Sequence, residues 1–435
     1  MSLNIAIVGA GPAGFYAAEA LSKGEGAEVR IDIIDRLATP FGLIRAGVAP
    51  DHQTTKRVAE SFGRTALRDE VRYYGNVEVG RDVSLDELRK IYDAVILAVG
   101  APFDRPINIP GEDKLGVYGS AAFVSWYNGH PDFLSLDPDL DATAVAVIGV
   151  GNVAIDVARV LVKTPDEMAA SDLPDYAARA IQASPITDVY MIGRRGPVEA
   201  KFTNVELREM GKLETCDPVV DPAQLPETVG EGLDDRDARL KGRNLATLHE
   251  FAARPAGKKA KRVHFVFYAS PVEILGGEHV AGLRLERTRL EGGRSVSTGE
   301  FFEIDCGLVV PSIGYRSVPV DGAPFDDGAC IVPNDNGRVA DGLYAVGWIK
   351  RGPTGVIASN RPDGVVAAAH IRADLGAGGK PGREALATLL AERQVRVVSY
   401  ADWLKIEAVE VAAATPPAPR RKLVTLTDML AVLDG

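Results

Sequence analysis

Two short glycine runs and one pair of arginines carry most of the chemistry legible in this chain. Gly9-Ala10-Gly11-Pro12-Ala13-Gly14 spaces its glycines as G-x-G-x-x-G, and Gly149-Val150-Gly151-Asn152-Val153-Ala154 repeats the pattern with alanine at the third small position. Such a run can cradle a pyrophosphate. The first glycine makes the tight turn, the second lets the backbone approach the anion, and the third small residue lets a helix pack closely on a strand. Asp35 follows the first run and suits a ribose hydroxyl. After the second run the equivalent place holds Gly193-Arg194-Arg195, and a guanidinium pair suits a 2′-phosphate. Each feature also has a plainer reading, as an ordinary turn or a surface pair, so the elements around them decide.

Those elements agree. Leu3–Val8 reads as a buried strand, Phe15–Ser22 as a helix, and Val29–Ile34 as a second strand ending on Asp35. The same grammar returns at Thr143–Ile148, with a helix through Val157, Val160 and Leu161, and a strand at Thr187–Ile192. Asp93–Gly100, Gly307–Gly314 and Gly342–Trp348 are further apolar strands leaving through glycine. Arg351–Ile357 opens a helix running from Asn360 to His370, whose start offers the Gly355 and Val356 amides to an anionic ring edge. Val263–Tyr268 and Ala281–Thr288 read as strands, Lys163–Pro185 as an excursion, residues 214–262 as a charged, solvated surface, and residues 376–383 as a joint. The pattern predicts an α/β protein with two Rossmann-like dinucleotide-binding domains in the glutathione-reductase-like arrangement. The first domain is discontinuous: residues 1–103 and 319–435, the latter with a C-terminal cap, enclose a second domain at 104–318. The missing acid and the Arg pair assign NADP to the second module and FAD to the first.

Bulk properties narrow the class. The 435 residues are 46% apolar and 25% charged, enough for two or three cores. Cys216, Cys306 and Cys330 lie far apart, so no metal site or local dithiol is expected, and a reducing cytoplasm suits them. A formal charge of −11 argues against nucleic-acid binding. The N-terminus reads as unprocessed, and no apolar run approaches the roughly 18 to 20 residues that span a bilayer.

Beyond the glycine runs, Pro40-Phe41-Gly42-Leu43-Ile44-Arg45-Ala46-Gly47-Val48-Ala49-Pro50-Asp51-His52, Trp126-Tyr127-Asn128-Gly129-His130-Pro131, Gly193–Pro197 with Phe202-Thr203 and Glu206-Leu207-Arg208-Glu209, and Gly347–Gly355 together resemble the adrenodoxin reductase-type ferredoxin–NADP(+) reductases over nearly the whole chain. The resemblance implies that Gly9, Gly11, Pro12, Ala13, Gly14, Asp35, Leu43, Val79, Gly100, Gly347, Trp348, Gly355, Val356 and Ile357 surround FAD, with Gly355 also near the nicotinamide. It places Gly149, Gly151, Asn152, Val153, Arg194, Arg195 and Glu206 around NADP(H), and makes His52 and Asp156 the proton-handling pair. Lys201 departs from the smaller residue expected between Ala200 and Phe202.

The implied activity is hydride transfer from NADPH to FAD, then single-electron transfer to a small acidic ferredoxin-type protein docking near Arg208, Arg236, Arg239, Lys241 and Arg243. A flavoprotein reductase or monooxygenase with another acceptor is the alternative within the class. A redox-sensing binding module is the alternative outside it, and two retained nucleotide sites argue against that one.

Overall fold

The computed structural model describes residues 2–435 apart from Glu25, Ala256 and Ala377, so part of the expected joint at 376–383 lies outside the described residues. The chain forms two compact units. One comprises Met1–Phe103, Gly314–Thr415 and Pro419–Gly435, the other Asp104–Ile313 and Pro416–Ala418.

In the first unit all six residues of the Leu3–Val8 strand are buried. A parallel strand covered on both faces needs a continuous apolar run, which is what this sequence supplies. The sheet order is Arg338–Ala340, Leu343–Ala345, Ala94–Leu97, Leu3–Val8, Val29–Ile34, Val71–Tyr74. Every pairing is parallel except that of the Arg338–Ala340 edge strand. Side chains alternate across the sheet: Ile5 and Ile7 join a core with Phe15, Ile371 and Trp403, while Ala6 and Val8 join one with Leu88, Leu386 and Leu390. The helix Pro12–Lys23 begins with proline, whose missing N–H costs nothing in a first turn. It packs against Asn360–Asp374 so closely that a Cβ on Gly364 would lie 2.7 Å from the Tyr16 backbone.

The second unit repeats this plan. Its parallel sheet runs Leu308–Pro311, Ala144–Ile148, Asp188–Ile192, Lys261–Val266, Cys216–Val220. Val145 and Val147 face a core shared with Phe202, Leu248 and Phe265, and Ala146 and Ile148 face the other side. That other side meets an antiparallel sheet of Ala269–Leu275, Gly282–Glu291 and Arg294–Asp305. Residues 214–262 differ from the expected solvated surface. They supply the edge strand Cys216–Val220 and the 18-residue helix Asp235–Ala252, which buries Leu245, Leu248 and Phe251 behind a charged first half. The dense charge of that first half hides the apolar i, i+3 spacing of the second.

Candidate active site: two nucleotide turns

In both units the glycine run leaves the central strand at the carboxyl end of the sheet, beside the strand where the order reverses, the place such sheets bind ligands. The bonding is nearly identical. Gly9 N donates to Ile34 O at 2.8 Å and Ala98 N to Val8 O at 2.8 Å; Gly149 N donates to Ile192 O at 2.9 Å and Ser312 N to Ile148 O at 2.8 Å. A Cβ on Gly9 would lie 2.5 Å from Ala98 O, and one on Gly149 would lie 2.4 Å from Ser312 O. No side chain fits at either first position.

The second glycines behave in the opposite way. A Cβ on Gly11 or on Gly151 meets nothing within 4 Å, and both residues are extended N-caps, of the Pro12–Lys23 and Asn152–Val162 helices. An open backbone beside unpaired first-turn amides is what a phosphate requires. At the third position the modules diverge. A Cβ on Gly14 would lie 2.1 Å from Gly9 O, whereas Ala154 carries its Cβ fully buried.

Around the first turn, Asp35 Oδ2 accepts from Ala10 N at 2.6 Å and Oδ1 from Leu37 N at 2.9 Å. Burial raises the pKa of Asp35, and these two amides act against the rise. An ionised carboxylate has about four acceptor sites, so two amides leave room for a ribose hydroxyl. Phe41 N donates to Ala10 O at 2.8 Å, which sets the Leu43 segment beside the turn, with Leu43 itself exposed. Val79 precedes the turn at Gly80, and Gly100, with φ +73°, accepts on its carbonyl from Ser317 Oγ at 2.8 Å. Gly347 and Trp348 leave the Leu343–Ala345 strand at the same sheet end. Asp363 fixes them by accepting from Gly347 N at 3.1 Å and from Lys350 Nζ at 3.0 Å, and it also pairs with Arg351. Trp348 Nε1 donates to Thr354 O at 3.1 Å, holding the path to Gly355. Val356 N donates to Ser359 Oγ at 3.0 Å, so this amide, expected to face an anion, is engaged in its own turn. A 3-10 turn, Ile357–Ser359, precedes the helix Asn360–Asp374. These features fit an FAD.

Around the second turn, a Cβ on Gly193 would lie 3.0 Å from Val150 Cγ1, which sets the Arg pair beside the run. Among the described residues neither Arg194 nor Arg195 pairs with a carboxylate. The hairpin of the antiparallel sheet anchors them: Thr288 Oγ1 and Ser295 Oγ both donate to Arg194 O, at 2.8 and 2.7 Å. Lys201 N donates to Val150 O at 2.8 Å and Thr203 N to Asn152 Oδ1 at 2.8 Å, so the segment containing Lys201 still closes on the turn. Val153 packs against the core behind.

Asp156 and Glu206 meet on a residue that the motifs did not single out. Arg159 is completely buried, and its guanidinium reaches Asp156 Oδ1 at 2.8 Å, Glu206 Oε2 at 3.4 Å and Glu209 Oε2 at 3.5 Å. Its one visible signal was the i, i+3 spacing from Asp156 on a helix. His52 is half-buried and caps the short Gln53–Lys56 helix, its carbonyl accepting from Thr55 N and Lys56 N at 3.1 Å each. It belongs to the first unit and Asp156 to the second.

The model of the pyridine nucleotide-disulphide oxidoreductase family matches residues 3–199. Full-length relatives are closer. The mitochondrial NADPH:adrenodoxin oxidoreductase of Arabidopsis thaliana is 42% identical over 460 residues, covering 99% of this chain and 95% of the relative. The NADPH-ferredoxin reductase FprA of Mycobacterium leprae is 42% identical over 454 residues, covering 99% and 98%. The chain belongs to the NADPH-ferredoxin and adrenodoxin reductase family. The structure of Mycobacterium tuberculosis FprA in complex with NADPH superposes with a TM-score of 0.94 at 40% identity, covering all of both chains. This reductase is therefore a two-domain FAD- and NADP-dependent oxidoreductase, with the first domain discontinuous. Among the described residues no helix is long and apolar enough to cross a membrane.

Proposed function

We propose that this reductase takes hydride from NADPH and delivers single electrons to a small, acidic iron–sulfur protein. FAD supplies the conversion between two-electron and one-electron chemistry. The observation that carries the reading is the pair of phosphate turns built to one geometry, with the Arg pair beside only the second. In it the Gly9–Gly14 turn, Asp35, Leu43, Val79, Gly100 and the Gly347–Ile357 loop hold FAD. The Gly149–Val153 turn, Arg194, Arg195 and Glu206 hold NADPH, the arginines receiving its 2′-phosphate. His52 and Asp156 manage the proton: an imidazole titrates near neutrality, and Arg159 keeps Asp156 as an ion-paired acceptor in a fixed place.

The cysteines bear on the acceptor. All three are free thiols, and burial pushes Cys216 and Cys306 up to about 12, so neither is a ready thiolate. Electrons therefore leave by a route other than a protein disulfide, and the three reduced thiols favour the cytoplasm. For docking, Arg208, Arg236, Arg239 and Arg243 are exposed and Lys241 half-exposed on two packed helices, Asn204–Met210 and Asp235–Ala252. Among the described residues none of the five pairs with a carboxylate. In a chain of charge −11, such a cluster suits an acidic partner.

The test is anaerobic stopped-flow of the flavin-loaded protein, mixed with NADPH or NADH and then with oxidised ferredoxin. NADPH should bleach the flavin far faster than NADH, and ferredoxin should restore it. Reduced flavin that ferredoxin leaves untouched would overturn the reading.

A further inference from the structure

The segment Pro40–Asp51 is held at two points, and the second lies well away from the nucleotide turn. At the first, Phe41 N bonds Ala10 O, and Gly42 approaches so closely that a Cβ on it would lie 3.0 Å from Gly11 Cα. Phe41 and Gly42 adopt φ of 84° and 50°, so this path is one that the chain does not take unaided. At the second, Arg45 turns into the C-terminal cap. Its Nη1 donates to Glu410 Oε2 at 2.9 Å, its Nη2 donates to Glu410 Oε1, and the guanidinium lies 5.2 Å from the Trp403 ring centre. Glu410 is fully buried and also accepts from Leu423 N at 2.8 Å, while Lys422 Nζ donates to Arg45 O at 3.1 Å. Burial pushes the Glu410 carboxyl up, but the charge and hydrogen bonds of Arg45 outweigh it and hold it below the usual range.

Burying two charges costs desolvation that a well-packed apolar pair would avoid, so such a pair seldom persists for stability alone. Two-pronged bonding supplies direction, which apolar packing does not. We infer that the Arg45–Glu410 pair is a positioning device through which the C-terminal cap holds the Phe41–Leu43 segment against the Gly9–Gly14 turn and so sets the affinity for FAD. Neither residue touches the turn itself. The inference rests on the reading that this turn holds FAD.

The test uses the full-length protein stripped of flavin, read by thermal unfolding and by FAD titration. The double variant Arg45→Met/Glu410→Met removes both charges at similar volume. It should unfold within a few degrees of the parent yet bind FAD at least tenfold more weakly, with Arg45→Lys, which keeps charge without the fork, falling between. A double variant that binds FAD as the parent does makes the pair merely structural and overturns the inference. Should the double variant fail to fold, Lys422→Met removes only the donor to Arg45 O. It should weaken FAD about threefold or more, and an unchanged dissociation constant overturns the inference equally. Gly11→Ala separates the two levels: if it leaves FAD binding intact, the turn assignment has failed, and if it alone weakens FAD, only the positioning role has.

Discussion

The open second glycine and the blocked third one predict opposite consequences for the same one-carbon change. Gly11 has φ −82° and ψ −175°, which alanine adopts without strain, and its Cβ would meet nothing within 4 Å. In the flavin-free protein, Gly11→Ala gains about 0.4–1 kcal/mol from a stiffer unfolded chain. It loses a comparable amount because alanine is a poorer N-cap than glycine. The net change should lie within about 1 kcal/mol of zero. With FAD the methyl stands where the pyrophosphate approaches the backbone, and each charge-assisted hydrogen bond lost costs about 2 kcal/mol, a roughly thirtyfold weaker complex. Gly14→Ala is different, because its Cβ would lie 2.1 Å from Gly9 O. The helix must move off the strand, which costs the flavin-free fold roughly 1–3 kcal/mol in overpacking, and FAD binding falls as well. Urea unfolding of flavin-free protein and quenching of flavin fluorescence on titration read the two quantities separately. The reasoning is refuted if Gly11→Ala destabilises the flavin-free fold as much as Gly14→Ala, or binds FAD like the parent.

Three other outcomes follow from the same geometry. Arg194→Ala/Arg195→Ala should lower kcat/KM for NADPH by about 10- to 100-fold, the worth of one or two charge-assisted bonds, and leave NADH nearly unchanged; parallel losses with both nucleotides would remove the 2′-phosphate assignment. Asp32 is fully buried, accepts from Tyr92 OH at 2.7 Å and pairs with Arg383 at 3.1 Å, and burial raises its pKa from 3.8 to about 6. Because the folded state holds this proton more tightly, its stabilising share is complete below pH 4 and lost as pH rises through 6, about 3 kcal/mol in all. The stability of Asp32→Asn relative to the parent should therefore improve by about that amount between pH 4 and pH 7 in urea titrations, and a constant gap would show that Asp32 does not titrate there. Charge reversal at Arg239 and Arg243 should slow ferredoxin reduction, flatten its dependence on salt and spare reduction of the flavin by NADPH; equal salt slopes in parent and variant would move the dock elsewhere.

Most of the frame was visible in the sequence because parallel strands, buried on both faces, must be continuous apolar runs, and because glycine was the only residue that the first turn position could hold. The discontinuous first domain followed from a third strand-to-glycine exit at Leu343–Gly347. The second half of the helix Asp235–Ala252 was harder, since Leu245, Leu248 and Phe251 follow a first half dense in Asp, Arg and Lys. Composition averages those two halves together. The fold does not, because it buries only one of them.

What the motifs did not show is the set of partners that hold the motif residues still. Arg159 lies three residues after Asp156 and looks like an exposed helical charge, yet its burial is complete because Glu206 and Glu209 arrive from a helix nearly fifty residues later. Thr288 and Ser295 reach Arg194 O across about a hundred residues, and Glu410 reaches Arg45 across more than three hundred. No local window contains both members of any of these contacts. Groups facing a ligand must fit its chemistry, so their types and spacing repeat in recognisable runs; groups that fix them need only meet in space. Function is therefore legible from local sequence at the surface that touches the ligand, and it fades one layer behind, where tertiary structure alone brings the partners together.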